Sequence, residues 1–238
     1  MQLFYHYDLS EQNLTLPEDE SKHIIRVLRK QKGDRIILID GKGNEAVGII
    51  ETDNPKKCEV RVSSILHHVQ NRPYYLHIAI APTKQFERMD GFIEKAIEIG
   101  VDEITFIETQ NSERDKVNLE RCEKIAASAI KQSKQFWLPK IKGIKKLSEF
   151  LSAQNENPAH KLIAWCEEEQ SNNFAKQLSK TVASRYVVLI GPEGDFTKQE
   201  IELAKISHFI PVSMGSNILR TETAGIFVCA AFACMGNK

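Results

Sequence analysis

YVVLIGPEGDFTKQE, residues 186–200, holds in fifteen letters the unit from which the larger part of this chain is built. Tyr186 to Ile190 form an unbroken apolar run of strand-forming residues, with no polar alternation, so the strand expects cover on both of its faces. Gly191-Pro192-Glu193-Gly194 then breaks the run, and the two glycines predict close backbone approach and positive φ where the loop needs it. Thr197 with Glu200 three residues later is a capping box, which opens a helix. Strand, loop and capped helix in that order belong to an α/β fold with a largely parallel sheet.

The same alternation extends outward. YYLHIAIA (74–81), EITFIET (103–109), KLIAWC (161–166) and HFIPVSM (208–214) read as further strands. Between them FIEKAIEIG (92–100) sets Ile93, Ala96 and Ile97 at helical spacing, with Gly100 as its stop. A long basic helix is expected over 118–136, closed by Pro139, and TETAGIFVCAAFACM (221–235) reads as an apolar closing helix. HHVQNRP (67–73) is the best linker. Before it lies a β-rich module: a helix at 18–30 between Pro17 and Gly33, then strands at 35–40, 45–52 and 58–66. In that helix Ile24, Val27 and Leu28 are expected to share the buried face. The expected organisation is a first domain over 1–72 and a second over 73–238.

Composition narrows the classes. Of 238 residues 42% are apolar and 27% charged, with zero formal net charge, which suits an ordinary globular protein. No run approaches the ~20 apolar residues of a membrane span, and the N-terminus has no secretory pattern. Five scattered cysteines without CxxC spacing point to reduced thiols in a cytoplasm rather than disulfides or zinc. Phosphate-cradling GxGxxG and GxxxxGK[ST] motifs, GxSxG and HExxH are all missing, so no metal is expected. Charge is uneven: residues 22–35 and 121–146 are strongly basic. Such runs can neutralise RNA phosphates, and they serve equally as solvated faces.

Ligands of open α/β sheets bind in loops beyond the carboxyl ends of strands. Two such loops stand out: Gly191 to Gly194, and Met214-Gly215-Ser216-Asn217-Ile218-Leu219-Arg220-Thr221-Glu222-Thr223. A plain turn would account for the first and helix capping by Thr221 for part of the second, but neither requires Arg220 or the Ile218-Leu219 pair.

IGPEGDF (190–196) together with MGSNILRTETA (214–224) resembles the paired signature of the RsmE family, SPOUT-class methyltransferases acting on the N3 of a uridine in 16S ribosomal RNA. HIIRVLR (23–29) with Gly33-Asp34, Lys84, Glu94 to Ala96, Glu98 to Val101, Ser112, Arg114, Gln132-Ser133 and Pro139 match along the rest of the chain. The resemblance implies a small PUA-like β-barrel for RNA binding, followed by an α/β domain whose C-terminus threads a trefoil knot. It implies S-adenosylmethionine as cofactor, a homodimer, and 16S rRNA within the 30S subunit as substrate. Carried over, cofactor contacts fall on Cys166, Ile190, Gly191, Pro192, Gly194, Met214, Gly215, Ile218 and Leu219. His23, Arg26, Arg29, Lys84 and Arg114 are the expected RNA contacts.

Uridine N3 is protonated at neutral pH, so the site needs a base or a group that stabilises the uracil anion. Arg220 is expected to stabilise that anion, with Glu222 as candidate base and Glu193 second. The chain departs from the family at Lys131, where Glu is usual, at Lys134 and Gln135, where Gly-Arg is usual, at Asp195, usually Gly, and at Asn217, often Arg. Two rival readings are another SPOUT reaction, on a ribose 2′-oxygen or a tRNA base, and a non-catalytic RNA-binding protein.

Overall fold

The computed structural model describes residues 2–167, 172–180 and 183–236. They form two compact units, Met1–Asn71 with Ala126–Leu138, and Arg72–Ile125 with Pro139–Lys238.

The first unit is a five-stranded sheet of β1 (Leu3–Tyr5), β2 (Asn13–Thr15), β3 (Arg35–Ile39), β4 (Asn44–Thr52) and β5 (Glu59–His67), in the order β1-β3-β4-β5-β2. β1 runs parallel to β3 and the other pairs are antiparallel. Phe4, Leu38, Ile50 and Val60 share its core with Ile24. β1 and β2 are too short to show an alternation in sequence. The helix expected at 18–30 is shorter: α1 (Glu18–Lys22) runs into a π-helical turn, His23–Val27, and Arg29 lies at φ 56°. The wider turn breaks the i, i+3, i+4 alignment on which the expected face depended. Ile24 is fully buried, whereas Val27 is turned out and 67% exposed.

Residues 126–138 complete this unit. Leu138 N–H donates to Gly41 O at 2.8 Å and Gly43 N–H to Phe136 O at 2.9 Å, while His68 stacks flat on Phe136 with ring centroids 3.6 Å apart. Lys131, one of the departures, forms an ion pair with Glu20 of α1.

In the second unit β6 (Tyr75–Ile80), α2 (Phe86–Ile99), β7 (Glu103–Glu108), the start of α3 (Leu119–Ser133), β8 (Lys140–Lys146), α4 (Leu147–Gln154), β9 (His160–Ala164), α5 (Phe174–Lys180), β10 (Arg185–Ile190), α6 (Lys198–Ile206), β11 (Ile210–Val212) and α7 (Thr221–Gly236) follow one another. The sheet is parallel throughout, in the order β11-β9-β10-β6-β7-β8. β10 and β6 occupy its interior, and residues 186–190 are all buried there, as an apolar run without alternation requires. Phe150, Leu151, Ile201 and Phe209 pack against Ala79, Ile163, Val187 and Leu189. The basic run does not continue as a helix to 146: β8 is a lysine-rich edge strand, the type of charged edge that discourages further strand pairing. α4 and α5 are additions that the sequence reading does not contain.

Candidate active site

The carboxyl ends of β9, β10 and β11 meet the start of α7 around a cavity of 330 Å³. Its walls are Ala164 to Cys166 after β9, Ile190 to Glu193 with Asp195 after β10, Ser213 to Thr221 after β11, and Ala224 of α7.

Local chemistry builds each wall. Where β10 ends, Asp195 N–H donates to Pro192 O at 3.0 Å, closing a turn, and the Phe196 ring is buried behind it. Thr197 and Glu200 form the complete capping box: Glu200 N–H donates to Thr197 Oγ1 at 3.3 Å and Thr197 N–H to Glu200 Oε2 at 2.9 Å. The left-handed residue in this loop is Asp195, at φ 57°, and neither Gly191 nor Gly194 lies in that region. Those glycines answer a need for space instead: a Cβ at Gly191 would come within 3.1 Å of the Phe196 ring, and one at Gly194 within 3.1 Å of Asn111 Cβ. At Gly215 the requirement is conformational, since φ is 129° and the surroundings are open.

A few bonds fix the walls to one another. Buried Thr221 donates through Oγ1 to Gly191 O at 3.0 Å. Asp195 Oδ2 accepts from Cys166 N–H at 3.0 Å, and Trp165 N–H donates to Val212 O at 3.1 Å. Burial, then the Asp195 charge and hydrogen bond, push the Cys166 thiol up to about 11, so at neutral pH it is protonated.

Every expected cofactor contact except Gly194 lines this cavity; Gly194 instead lends its carbonyl to Asn111 Nδ2 at 3.0 Å. Of the charged candidates Arg220 and Glu193 line it. Glu222 does not, and its Oε2 is buried without a hydrogen-bond partner among the described residues. Trp165 and Ser213, each next to a motif residue, and Asp195 and Thr221, inside the motifs but not expected as contacts, also line the cavity. The loop beyond Cys166 continues through 168–171, outside the described residues.

A charged cluster adjoins the cavity at Glu193. Its Oε1 accepts from Lys84 N–H at 3.2 Å, Arg114 Nε donates to Lys84 O at 2.8 Å, and Lys84 Nζ pairs with Glu113 at 2.8 Å. The hydrogen bond to Glu113 holds the exposed Lys84 ammonium above its usual range. His23, Arg26 and Arg29 belong to the first unit, where the arginines are exposed and His23 Nε2 bonds with Gln2 Nε2 at 2.8 Å. Among the described residues no His, Cys, Asp or Glu group has a metal-binding arrangement, and no helix is long and apolar enough to cross a membrane.

A family model described as an RNA methyltransferase domain matches residues 70–233, and one described as an RNA methyltransferase PUA domain matches residues 16–63. Ribosomal RNA small subunit methyltransferase E of Rickettsia conorii is 30% identical over 94% of this chain and 91% of its own. The crystal structure of a probable rRNA-methyltransferase from Porphyromonas gingivalis superposes with a TM-score of 0.89 at 41% identity, covering 100% of this chain and 99% of that one. That of a ribosomal RNA small subunit methyltransferase E from Neisseria gonorrhoeae, bound to S-adenosyl methionine, does so at 0.81 with 25% identity, over 99% and 98%.

Proposed function

Because this chain belongs to the family of ribosomal RNA small subunit methyltransferases E, we propose that it uses S-adenosylmethionine to methylate the N3 of a uridine in 16S rRNA, with the cavity at β9, β10 and β11 as its active site. The observation that carries this reading is the convergence of both motif loops, with Glu193 and Arg220, on one cavity.

The residues present fit the cofactor. At 330 Å³ the cavity lies within the range of small-ligand sites. Ile190, Met214, Ile218 and Leu219 offer apolar surface to an adenine, and the glycine-containing loops bring main-chain groups to the wall. Glu193 and Asp195 carry charge complementary to a sulfonium and an amine, and Arg220 to a carboxylate. When bound, the cofactor supplies an electrophilic methyl group.

The chain's own residues must position the uracil ring and deal with its N3 proton. Arg220, immediately before α7, stabilises the negative charge that the ring acquires as the proton leaves. Glu193 is the carboxylate at the cavity wall and the better placed to accept that proton. Glu222, whose Oε2 has no partner among the described residues, stands at the start of α7 and becomes a base only if substrate or a second protomer completes its surroundings. Positioning supplies the remainder of the rate, since in-line displacement is sensitive to alignment. Lys84 and Arg114, beside Glu193, meet RNA phosphates at the cavity, and His23, Arg26 and Arg29 do so on the PUA-like first domain, 1–72.

The same reading carries a trefoil threading of α7 in the 73–238 domain, a homodimer, and action on 30S subunits in the cytoplasm. Phe227 on α7 is 38% exposed and Ile218, at the cavity, 84%, apolar surface of the kind that a second copy would cover. The test is transfer from labelled S-adenosylmethionine to 30S subunits lacking the modification, followed by nucleoside analysis. Label in N3-methyluridine of 16S rRNA is expected. Label in a ribose or another base would keep the fold and overturn the reaction, and absence of cofactor binding would favour an RNA-binding protein without catalysis.

A further inference from the structure

Asp195 stands out in the cavity wall for the conformation it keeps. At φ 57° it occupies a region that costs free energy for any residue with a Cβ, least for Asn and Asp. A glycine would sit there without strain, so the side chain must return something for its place. Its two carboxylate oxygens are both engaged: Oδ1 accepts from Phe196 N–H at 2.8 Å, and Oδ2 reaches across to Cys166 N–H at 3.0 Å. The first bond holds the carboxylate within its own loop. The second joins the loop after β10 to the loop after β9, two walls of the same cavity. The Asp195 main chain is fixed independently, its N–H donating to Pro192 O and its carbonyl accepting from Asn111 Nδ2 at 3.0 Å. The side chain is therefore a strut mounted on a rigid base. Lys134 also lies at φ 57° but ends a helix with an exposed side chain, so the left-handed conformation alone does not create such a link.

We propose that Asp195 is a positioning residue that clamps the β9 and β10 loops together and holds the cofactor cleft preformed before any ligand arrives. The inference rests on the reading of this cavity as the S-adenosylmethionine site. A preformed cleft spares the ordering that binding would otherwise require, which appears as affinity. The clamp has a second consequence in the cofactor-free protein. Cys166, whose N–H is held, lines the cavity, and burial first, then the Asp195 charge and hydrogen bond, keep the proton on its sulfur. Since the thiolate is the reactive form, a pocket-lining cysteine is kept inert where a methyl electrophile is to be bound.

The test uses Asp195→Gly and Asp195→Asn in the full chain, with three readouts: S-adenosylmethionine affinity by calorimetry, the rate of Cys166 alkylation by iodoacetamide in cofactor-free protein followed by peptide mass spectrometry, and the thermal midpoint. For Asp195→Gly the midpoint holds or rises, because glycine accepts the conformation. Affinity falls about tenfold, the scale of one charge-assisted hydrogen bond, and Cys166 is alkylated several times faster. Asp195→Asn keeps one acceptor oxygen and restores part of the affinity, yet leaves Cys166 faster than in the wild type because the charge is gone. A glycine variant that binds the cofactor as tightly as the wild type, with Cys166 no faster, overturns the clamp. A wild type that does not bind the cofactor overturns the cofactor reading instead, and the clamp then stands or falls on hydrogen exchange of the Cys166 amide, which Asp195→Gly must speed if that bond holds the loops together.

Discussion

The two ends of the parallel sheet handle charge in opposite ways. At the amino end Glu103, the first residue of β7, is 3% exposed and fully engaged: it accepts from Tyr75 hydroxyl at 2.8 Å and Lys142 Nζ at 2.6 Å, with Arg185 at 3.5 Å and His77 at 3.7 Å. Burial pushes its carboxyl up, but His77, Lys142 and Tyr75 outweigh this and hold it below the usual range. Asp102 beside it accepts from Leu76 N–H at 2.7 Å. At the carboxyl end Glu193 and Arg220 are exposed to the cavity. Among the described residues, one bond is drawn to Glu193, at 3.2 Å from Lys84 N–H. A charge whose partners are all supplied by the fold supports the fold, whereas one with spare capacity can be spent on a ligand.

The strongest way to break this contrast is Arg220→Ala. Methyl transfer is expected to fall about 10²- to 10³-fold, as when a group stabilising transition-state charge is removed, with the melting temperature unchanged. A variant that melted early would place Arg220 with the structural charges. Glu103→Ala at the other end should do the reverse. It strands Lys142 and Arg185 at a cost of about 2–3 kcal/mol, below that of a fully buried pair because both cations retain access to water. Urea unfolding measures it, and the affinity of the folded protein for S-adenosylmethionine should stay at the wild-type value.

The third prediction concerns pH. Burial lowers the His77 pKa to about 4, against the partial opposition of Glu103. Unfolded, the imidazole titrates near 6.5, so between about 6.5 and 4 the unfolded chain binds more protons and stability falls as pH falls. The loss is on the order of 2–3 kcal/mol, and a His77→Gln variant should flatten the urea-midpoint profile over that window. The smallest effect sharpens the contrast from within the carboxyl end: Thr197→Ala removes a cap and should cost about 1 kcal/mol, visible in thermal melts and without the large loss of turnover expected of Arg220→Ala.

Legibility in sequence followed the range of the interaction involved. β10, its loop and the capping box were readable because neighbouring residues determine them, and the apolar strands because a sheet covered on both sides leaves no alternation. KIKGIKK, β8, was hidden by its lysines, although alternation of lysine with Ile141 and Gly143 was there to be noticed. The π-helical turn that exposes Val27 has no local signature to set it apart from an ordinary helix. Within the site, the motif residues were visible and their neighbours were not. Trp165 and Ser213 reach the cavity through the spacing of neighbouring strands, and Asp195, although inside a motif, carries no local sign of its contacts with Cys166 and Asn111, separated from it by 29 and 84 positions.

Residues 126–138 carry a consequence for synthesis. The chain leaves the first unit after Asn71, returns at Ala126 and leaves again after Leu138. A nascent N-terminal unit is therefore incomplete when its own five strands have emerged from the ribosome. The hydrogen bonds of its Gly41–Gly43 turn to Phe136 and Leu138 form only once Leu138 is out, by which time β6 and β7 have already been made. Domains that fold as units during synthesis generally do so from the N-terminus onward; here the order of translation and the order of completion part company, and a chain halted near residue 120 should remain open to proteases in both halves.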